Sequence, residues 1–316
     1  MRFLIQLSYE KGEKRNMRFK YIVVVIIIII CLLGCEKNIG SNNIHNEVNG
    51  VFTSVNDIVY YIDRNILYEY SSEGSNELCK NVVSVQKYND TVYFIYTDDY
   101  KSYSLYKNTE DSVEKQFDLD SGTYQQSILY NNKLYSCINN KITVYDLQTK
   151  ESETIAIENT VSRFCIDNNI VYYWSIDFID NGLDAYVNSI ISGDELNIFE
   201  GILYSFDIHS NKTTEICHAF SKNDHYFLSP TQYGVVFFDP DQSNLNIYNG
   251  KIKTIFHGNI LNMMTDDKNV YYSVDDNNIY QIDAGTNDIN IFIYNANEIY
   301  GFDDQYVYSD KGINDR

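Results

Sequence analysis

Seven copies of one short pattern constrain this chain more than any other feature. Each copy runs from a polar or turn residue through an apolar residue to Val or Leu and then to aromatic residues. It reads DIVYY from residue 57, DTVYF from 90, NKLYS from 132, NIVYYW from 169, GVVFF from 234, KNVYY from 268 and QYVYS from 305. Taken on the Val or Leu, the copies fall at Val59, Val92, Leu134, Val171, Val236, Val270 and Val307, at intervals of 33, 42, 37, 65, 34 and 37 residues. A second β-rich stretch follows each copy, such as Ile142 to Asp146 or Ile279 to Asp283, with the alternation that marks a half-buried strand. A polar turn, a third stretch such as Lys251 to Phe256, and a fourth segment lead into the next copy.

Four short antiparallel strands in a repeat of roughly 40 residues make the blade of a β-propeller. The predicted fold is therefore all-β, a propeller of six to seven four-stranded blades over residues 51–316. Six units fit between Val51 and Ile293, and Glu298 to Phe302 and Tyr306 to Ser309 begin a seventh, so the last blade is expected to be incomplete. The competing closure has six blades, with Glu298 to Phe302 set against Ile58 to Ile62. Composition agrees with strands: 30 Tyr and 16 Phe stand beside 2 Pro and 1 Trp, and aromatic residues favour the pleated sheet.

The 65-residue interval requires an insertion, which residues 176–201 supply between the second and third strands of the fourth blade. Insertions in such repeats project from one face, so this loop is the expected seat of anything specific to the protein.

Residues 18–35 read RFKYIVVVIIIIICLLGC, a charged stretch, an apolar run from Ile22 to Leu33, then Gly34 and Cys35. This is a signal-peptide plan. Twelve apolar residues make about 18 Å of helix, short of the roughly 30 Å of hydrocarbon that a stable span must cross. Leu32-Leu33-Gly34-Cys35 resembles the lipobox of bacterial lipoproteins. By that resemblance residues 1–34 are a lipoprotein signal peptide, and Cys35 becomes a lipidated (palmitate-type, diacylglycerol) N-terminus. Met17 sits directly before the charged stretch, so residues 1–16 read as an over-long start. Residues 35–50 then form the lipidated cysteine and a flexible, Asn-rich tether.

The chain carries 24 Lys plus Arg against 44 Asp plus Glu, a formal charge of −20. Nucleic acid is excluded as a partner, because phosphate binding needs a basic face. Loss of residues 1–34 removes six basic and two acidic residues, leaving 18 against 42 and a charge of −24. Membrane attachment would then come from the lipid anchor at Cys35 rather than from a basic patch.

The pairing of a YY-type strand with an I-Y-x-I-D strand, as in Val270-Tyr271-Tyr272 and Ile279-Tyr280-Gln281-Ile282-Asp283, resembles low-density-lipoprotein-receptor-like and TolB-like propeller modules of bacterial lipoproteins. The resemblance implies aromatic residues packed between blades and a binding or scaffolding role, with no active site to carry over.

No motif of catalysis appears. There is no HExxH, G-x-S-x-G, P-loop or dinucleotide fingerprint, and no two of His45, His209, His218, His225 and His257 stand four apart. His218 and His225 flank the start of the fifth blade and are the one pair placed to meet. Cys79, Cys137, Cys165 and Cys217 lack any CxxC and are expected in strands as buried free thiols, although an extracytoplasmic location permits disulfides. Acidic clusters at Asp98-Asp99, Asp177 to Asp184, Asp239-Pro240-Asp241, Asp266-Asp267, Asp275-Asp276 and Asp303-Asp304 suit either calcium or tight turns.

The expected protein is thus a membrane-anchored, extracytoplasmic, monomeric lipoprotein whose propeller binds a protein or cell-envelope glycan, without a cofactor, catalytic residue or metal site. The competing reading is an envelope carbohydrate-active enzyme with two carboxylates on one propeller face.

Overall fold

The computed structural model describes residues 52–55, 58–71, 74–109, 112–179, 198–222, 226–276, 278–294, 296, 299–302, 306–309 and 312–315. They form seven antiparallel sheets, each built from consecutive strands. The first holds β1 (Phe52–Val55), β2 (Ile58–Asp63), β3 (Ile66–Ser71) and β4 (Gly74–Lys80). The second holds β5 (Val82–Tyr88), β6 (Thr91–Thr97), β7 (Tyr103–Asn108) and β8 (Val113–Asp118). The third holds β9 (Tyr124–Tyr130), β10 (Lys133–Ile138), β11 (Lys141–Asp146) and β12 (Ser152–Thr154). The fourth holds β13 (Arg163–Asp167), β14 (Ile170–Phe178), β15 (Phe199–Asp207) and β16 (Lys212–Ser221). The fifth holds β17 (Leu228–Thr231), β18 (Gly234–Asp239), β19 (Asn244–Tyr248) and β20 (Ile252–His257). The sixth holds β21 (Asn262–Thr265), β22 (Asn269–Ser273), β23 (Asn278–Asp283) and β24 (Ile289–Tyr294). The seventh has three strands, β25 (Ile299–Phe302), β26 (Tyr306–Ser309) and β27 (Gly312–Asp315).

The first strands of successive sheets stand side by side, and β1 lies against β25, so seven sheets close into a ring. The expected all-β propeller is present, with six four-stranded blades and a seventh of three strands. The six-bladed closure is not: β25 pairs with β26, while β2 pairs with β1 and β3. Among the described residues there is no helix long and apolar enough to cross a membrane.

All seven repeat positions, from Val59 to Val307, fall on the second strand of their sheet. The phase of the repeat is therefore one strand later than the start of each blade. Burial explains why this strand carries the clearest signal. Strands β10 and β18 are buried at five of six positions, whereas the outer strand β12 is exposed at all three. A second strand is covered on both faces by neighbouring blades and so reads as a continuous apolar run.

There is accordingly no single central core. Apolar clusters form slabs between adjacent blades. Ile128, Tyr135 and Val144 of the third sheet meet Phe164, Tyr173 and Phe206 of the fourth. Val236, Leu245 and Ile247 of the fifth meet Met263, Val270 and Tyr272 of the sixth.

The turns explain the abundance of Asn and Asp. Two-residue hairpin loops at Arg64-Asn65, Asn131-Asn132, Asn139-Asn140 and Asn168-Asn169 have positive φ at both residues, the geometry that matches strand twist and that Asn tolerates. A second turn opens with Asp, whose carboxylate accepts two following backbone N–H groups. Asp146 takes those of Gln148 and Thr149, Asp207 those of His209 and Ser210, Asp283 those of Gly285 and Thr286. Each closes four residues later on a residue with positive φ: Lys150, Asn211 and Asn287.

Candidate ligand-binding cavity

A cavity of about 470 Å³ opens where the third, fourth and fifth sheets meet. Its walls come from the starts of three inner strands. These supply Gln125 and Gln126 on β9, Arg163 and Phe164 on β13, and Phe227 and Leu228 at β17. Ile176 and Phe178 at the end of β14 and Phe199 at the start of β15 complete it, with Ser162. In a meander, the starts of first and third strands and the ends of second strands share one face. The cavity therefore belongs to that face.

It also sits at the root of the expected insertion. The first and last residues of the span 176–201 are not loop, because β14 and β15 pair through Ile176↔Gly201, Asp177↔Glu200 and Phe178↔Phe199. Residues 180–197 lie outside the described residues, and with them Asp180 to Asp184. Phe178 is 71% exposed and meets Phe199 edge-to-face, with ring centroids 6.0 Å apart.

The floor is rigid. Trp174 is fully buried and donates its indole N–H to the Phe227 carbonyl at 3.2 Å. Tyr226, 4.9 Å from it by ring centroids, donates to the carbonyls of Phe199 and Ala219. Gly201 makes room for that ring, since a Cβ there would lie 2.3 Å from Tyr226 Cε1.

The polar lining is largely committed. Gln125 exchanges two hydrogen bonds with Asn140, Gln126 Oε1 accepts the Phe164 N–H at 3.1 Å, and Ser162 Oγ accepts that of Ile176 at 3.2 Å. The Arg163 guanidinium lies 6.0 Å from the centroid of the Phe227 ring. No carboxylate is among the residues lining the cavity.

The residues singled out in the sequence lie elsewhere. Cys35, His45 and His225 fall outside the described residues, as do Asp303 and Asp304. His218 bonds not to a histidine but to Glu200, at 2.7 Å on the neighbouring strand β15. Cys79, Cys137, Cys165 and Cys217 all lie in strands as free cysteines; Cys137 and Cys165 are buried, and Cys79 and Cys217 half-buried. Burial pushes the thiols of Cys137 and Cys217 up to about 12, which makes them poor nucleophiles.

The described acidic pairs serve turns. Asp99 accepts from the backbone of Lys101 and Ser102, Asp239 from Asp241 and Gln242, Asp266 from Lys268 and Asn269, and Asp276 from Asn278. Burial raises the Asp239 carboxyl above its ordinary value even so. Among the described residues no three His, Cys, Asp or Glu side chains are grouped to hold a metal ion.

The cavity residues escaped the sequence reading because they repeat nothing and come from three sheets. One signal was available: Phe178 and Phe199 bracket the insertion with an aromatic residue at each end.

No protein-family model matches the chain, and no curated protein matches it. Its fold is similar to solved propellers. The β-propeller domain of the Trilobed protease from Pyrococcus furiosus, described as having an open velcro topology, matches with a TM-score of 0.56 at 12% identity, over 84% of this chain and 91% of that one. The extracellular domain of the putative hybrid two-component system BT4673 from B. thetaiotaomicron matches at 0.56 and 16%, over 86% of this chain and 39% of that one. PorZ, a surface component of the type-IX secretion system of Porphyromonas gingivalis, matches at 0.54 and 11%, over 86% and 37%. The chain thus spans little more than a third of the length of the last two. At these identities the likeness is one of fold.

Proposed function

We propose that the protein is a lipid-anchored module of the cell envelope, held outside the cytoplasm by Cys35, whose propeller binds a protein or envelope glycan through the cavity at the root of the insertion. The observation that carries the binding role is the composition of the cavity wall. It offers an exposed phenylalanine pair, amides and one guanidinium, and its lining has no carboxylate pair to act as acid and base. Glycoside hydrolysis needs two such groups about 5–10 Å apart, so the enzymatic reading finds no support at this cavity. The lipobox-like Leu32-Leu33-Gly34-Cys35 supports the anchor, and the likeness in fold to an extracellular domain agrees with an outward location. The resemblance to lipoprotein propellers fits the same picture.

The full chain, solubilised in detergent, tests both halves. Cys35→Ala is expected to move the protein from the detergent to the aqueous phase and to block processing by the lipoprotein signal peptidase. A partner captured from envelope extract is expected to be lost on Phe178→Ala with Phe199→Ala. Unchanged partitioning defeats the anchor, and undiminished capture defeats the cavity.

A further inference from the structure

We infer that the cavity takes a saccharide bearing a carboxylate, of the uronic-acid kind. This rests on the binding reading above and narrows it.

The first ground is the hydrogen-bonding balance of the wall. Its side-chain acceptors are spent inside the protein: Gln125 on Asn140, Gln126 Oε1 on the Phe164 N–H, and Ser162 Oγ on the Ile176 N–H. With Gln126 Oε1 fixed on Phe164, its amide NH2 is the end turned to donate, and the Ser162 hydroxyl keeps its proton to offer. Arg163 contributes a guanidinium, which has donors and no acceptor. A donor-rich, acceptor-poor wall suits a ligand covered in oxygen atoms. A peptide would bring backbone N–H groups into a place with few acceptors, and each one buried without a partner costs about 1–3 kcal/mol.

The second ground is charge. The chain as a whole stands at −20, yet the only formally charged residue lining the cavity is Arg163. A guanidinium presents a planar fork that matches a carboxylate with two parallel hydrogen bonds. The nearby Phe227 ring helps to hold that plane.

The third ground is shape. The volume of about 470 Å³ is that of a small-molecule pocket rather than of a flat protein interface. A sugar acid carries an apolar C–H face, hydroxyls and a carboxylate on one compact ring. Phe178 and Phe199 at the mouth offer the surface for that face.

The test uses the full chain in detergent and the single tryptophan it contains. Trp174 is bonded to the backbone of Phe227, a wall residue, so its emission reports on the cavity. The probes are trigalacturonic acid, its methyl ester and a hexapeptide of Asp and Phe, each titrated by fluorescence and by calorimetry. The acid should bind saturably, and the methyl ester at least tenfold more weakly. Arg163→Gln, checked for an unchanged melting curve, should bring the acid down to the level of the ester. Phe178→Ala, at an exposed position, should weaken both sugars about fivefold.

Equal binding of acid and ester overturns the inference, as does indifference to Arg163→Gln or failure of both sugars to bind at millimolar concentration. If the peptide alone binds and Phe178→Ala abolishes it, the ligand class is wrong while the cavity remains the binding site. If no probe binds and envelope capture survives the Phe178 and Phe199 substitutions, the reading of the cavity falls as well.

Discussion

The indole N–H of Trp174, on the second strand of the fourth sheet, is bonded at 3.2 Å to the carbonyl oxygen of Phe227, at the entrance to the fifth. One side chain thereby fills the slab between two blades and satisfies a backbone group that the edge of a sheet leaves open.

Trp174→Phe should therefore destabilise the protein by about 2 kcal/mol, from the lost volume of a fully buried ring and an orphaned carbonyl. Urea unfolding would show a lower midpoint with an unchanged slope. An unchanged midpoint would mean that the blades are not joined through this contact.

Gln86 staples the second and third blades in the same manner. Its Nε2 donates to the Ser127 carbonyl at 2.8 Å, and its Oε1 accepts the Leu129 N–H at 2.9 Å. Gln86→Leu keeps the bulk and strands both backbone groups, so a loss of about 2–4 kcal/mol is expected on thermal or urea melting. Wild-type stability in this variant would show that water replaces the staple without cost.

Val270 is fully buried and Val92 nearly so, each in the middle of an inter-blade slab. Val270→Asp or Val92→Asp should cost several kcal/mol, because an unpaired carboxylate is placed where nothing solvates it. Val113→Asp, at a half-exposed site on the outer strand β8, should melt like the wild type.

Acid stability should follow the turn aspartates. Backbone N–H groups hold the carboxyls of Asp146 and Asp207 below their ordinary value of 3.8. Groups lowered in the native state stabilise it above the unfolded value, and that contribution disappears as pH falls from about 3.8 through the native value. Asp146→Asn with Asp207→Asn keeps an acceptor at each turn and removes the titration. The variant's melting temperature should fall less steeply than the wild type's below pH 4. Parallel curves would show that the two turns are equally stable with neutral aspartates.

The blades were legible in the sequence because their second strands are sealed on both faces, so Tyr135, Tyr173 and Tyr272 appear beside their Val or Leu in every register that matters. The phase was less legible. First strands such as β17, LSPT, are buried but short and partly polar, and resemble a turn when read alone. The acidic pairs were read as metal ligands or as turns, and the described ones act in turns: Asp239, Asp266 and Asp276 bond to N–H groups two or three residues ahead, an interaction with no long-range sequence trace. The cavity was the least legible part, because Gln126, Arg163 and Phe227 become neighbours only when three blades are set around the ring.

The ring itself implies an order of assembly. Every described sheet is drawn from one continuous stretch of chain, so each blade can form from contacts close in sequence and then dock on its predecessor. The junction of β1 with β25 is different, for its partners stand about 240 residues apart. Closing a loop of that length before any contact rewards it costs about 5 kcal/mol in chain entropy. Pairings of high contact order form slowly. The seam between first and last blades is therefore the final step of folding, and an open arc of docked blades is the state from which the closed ring is reached.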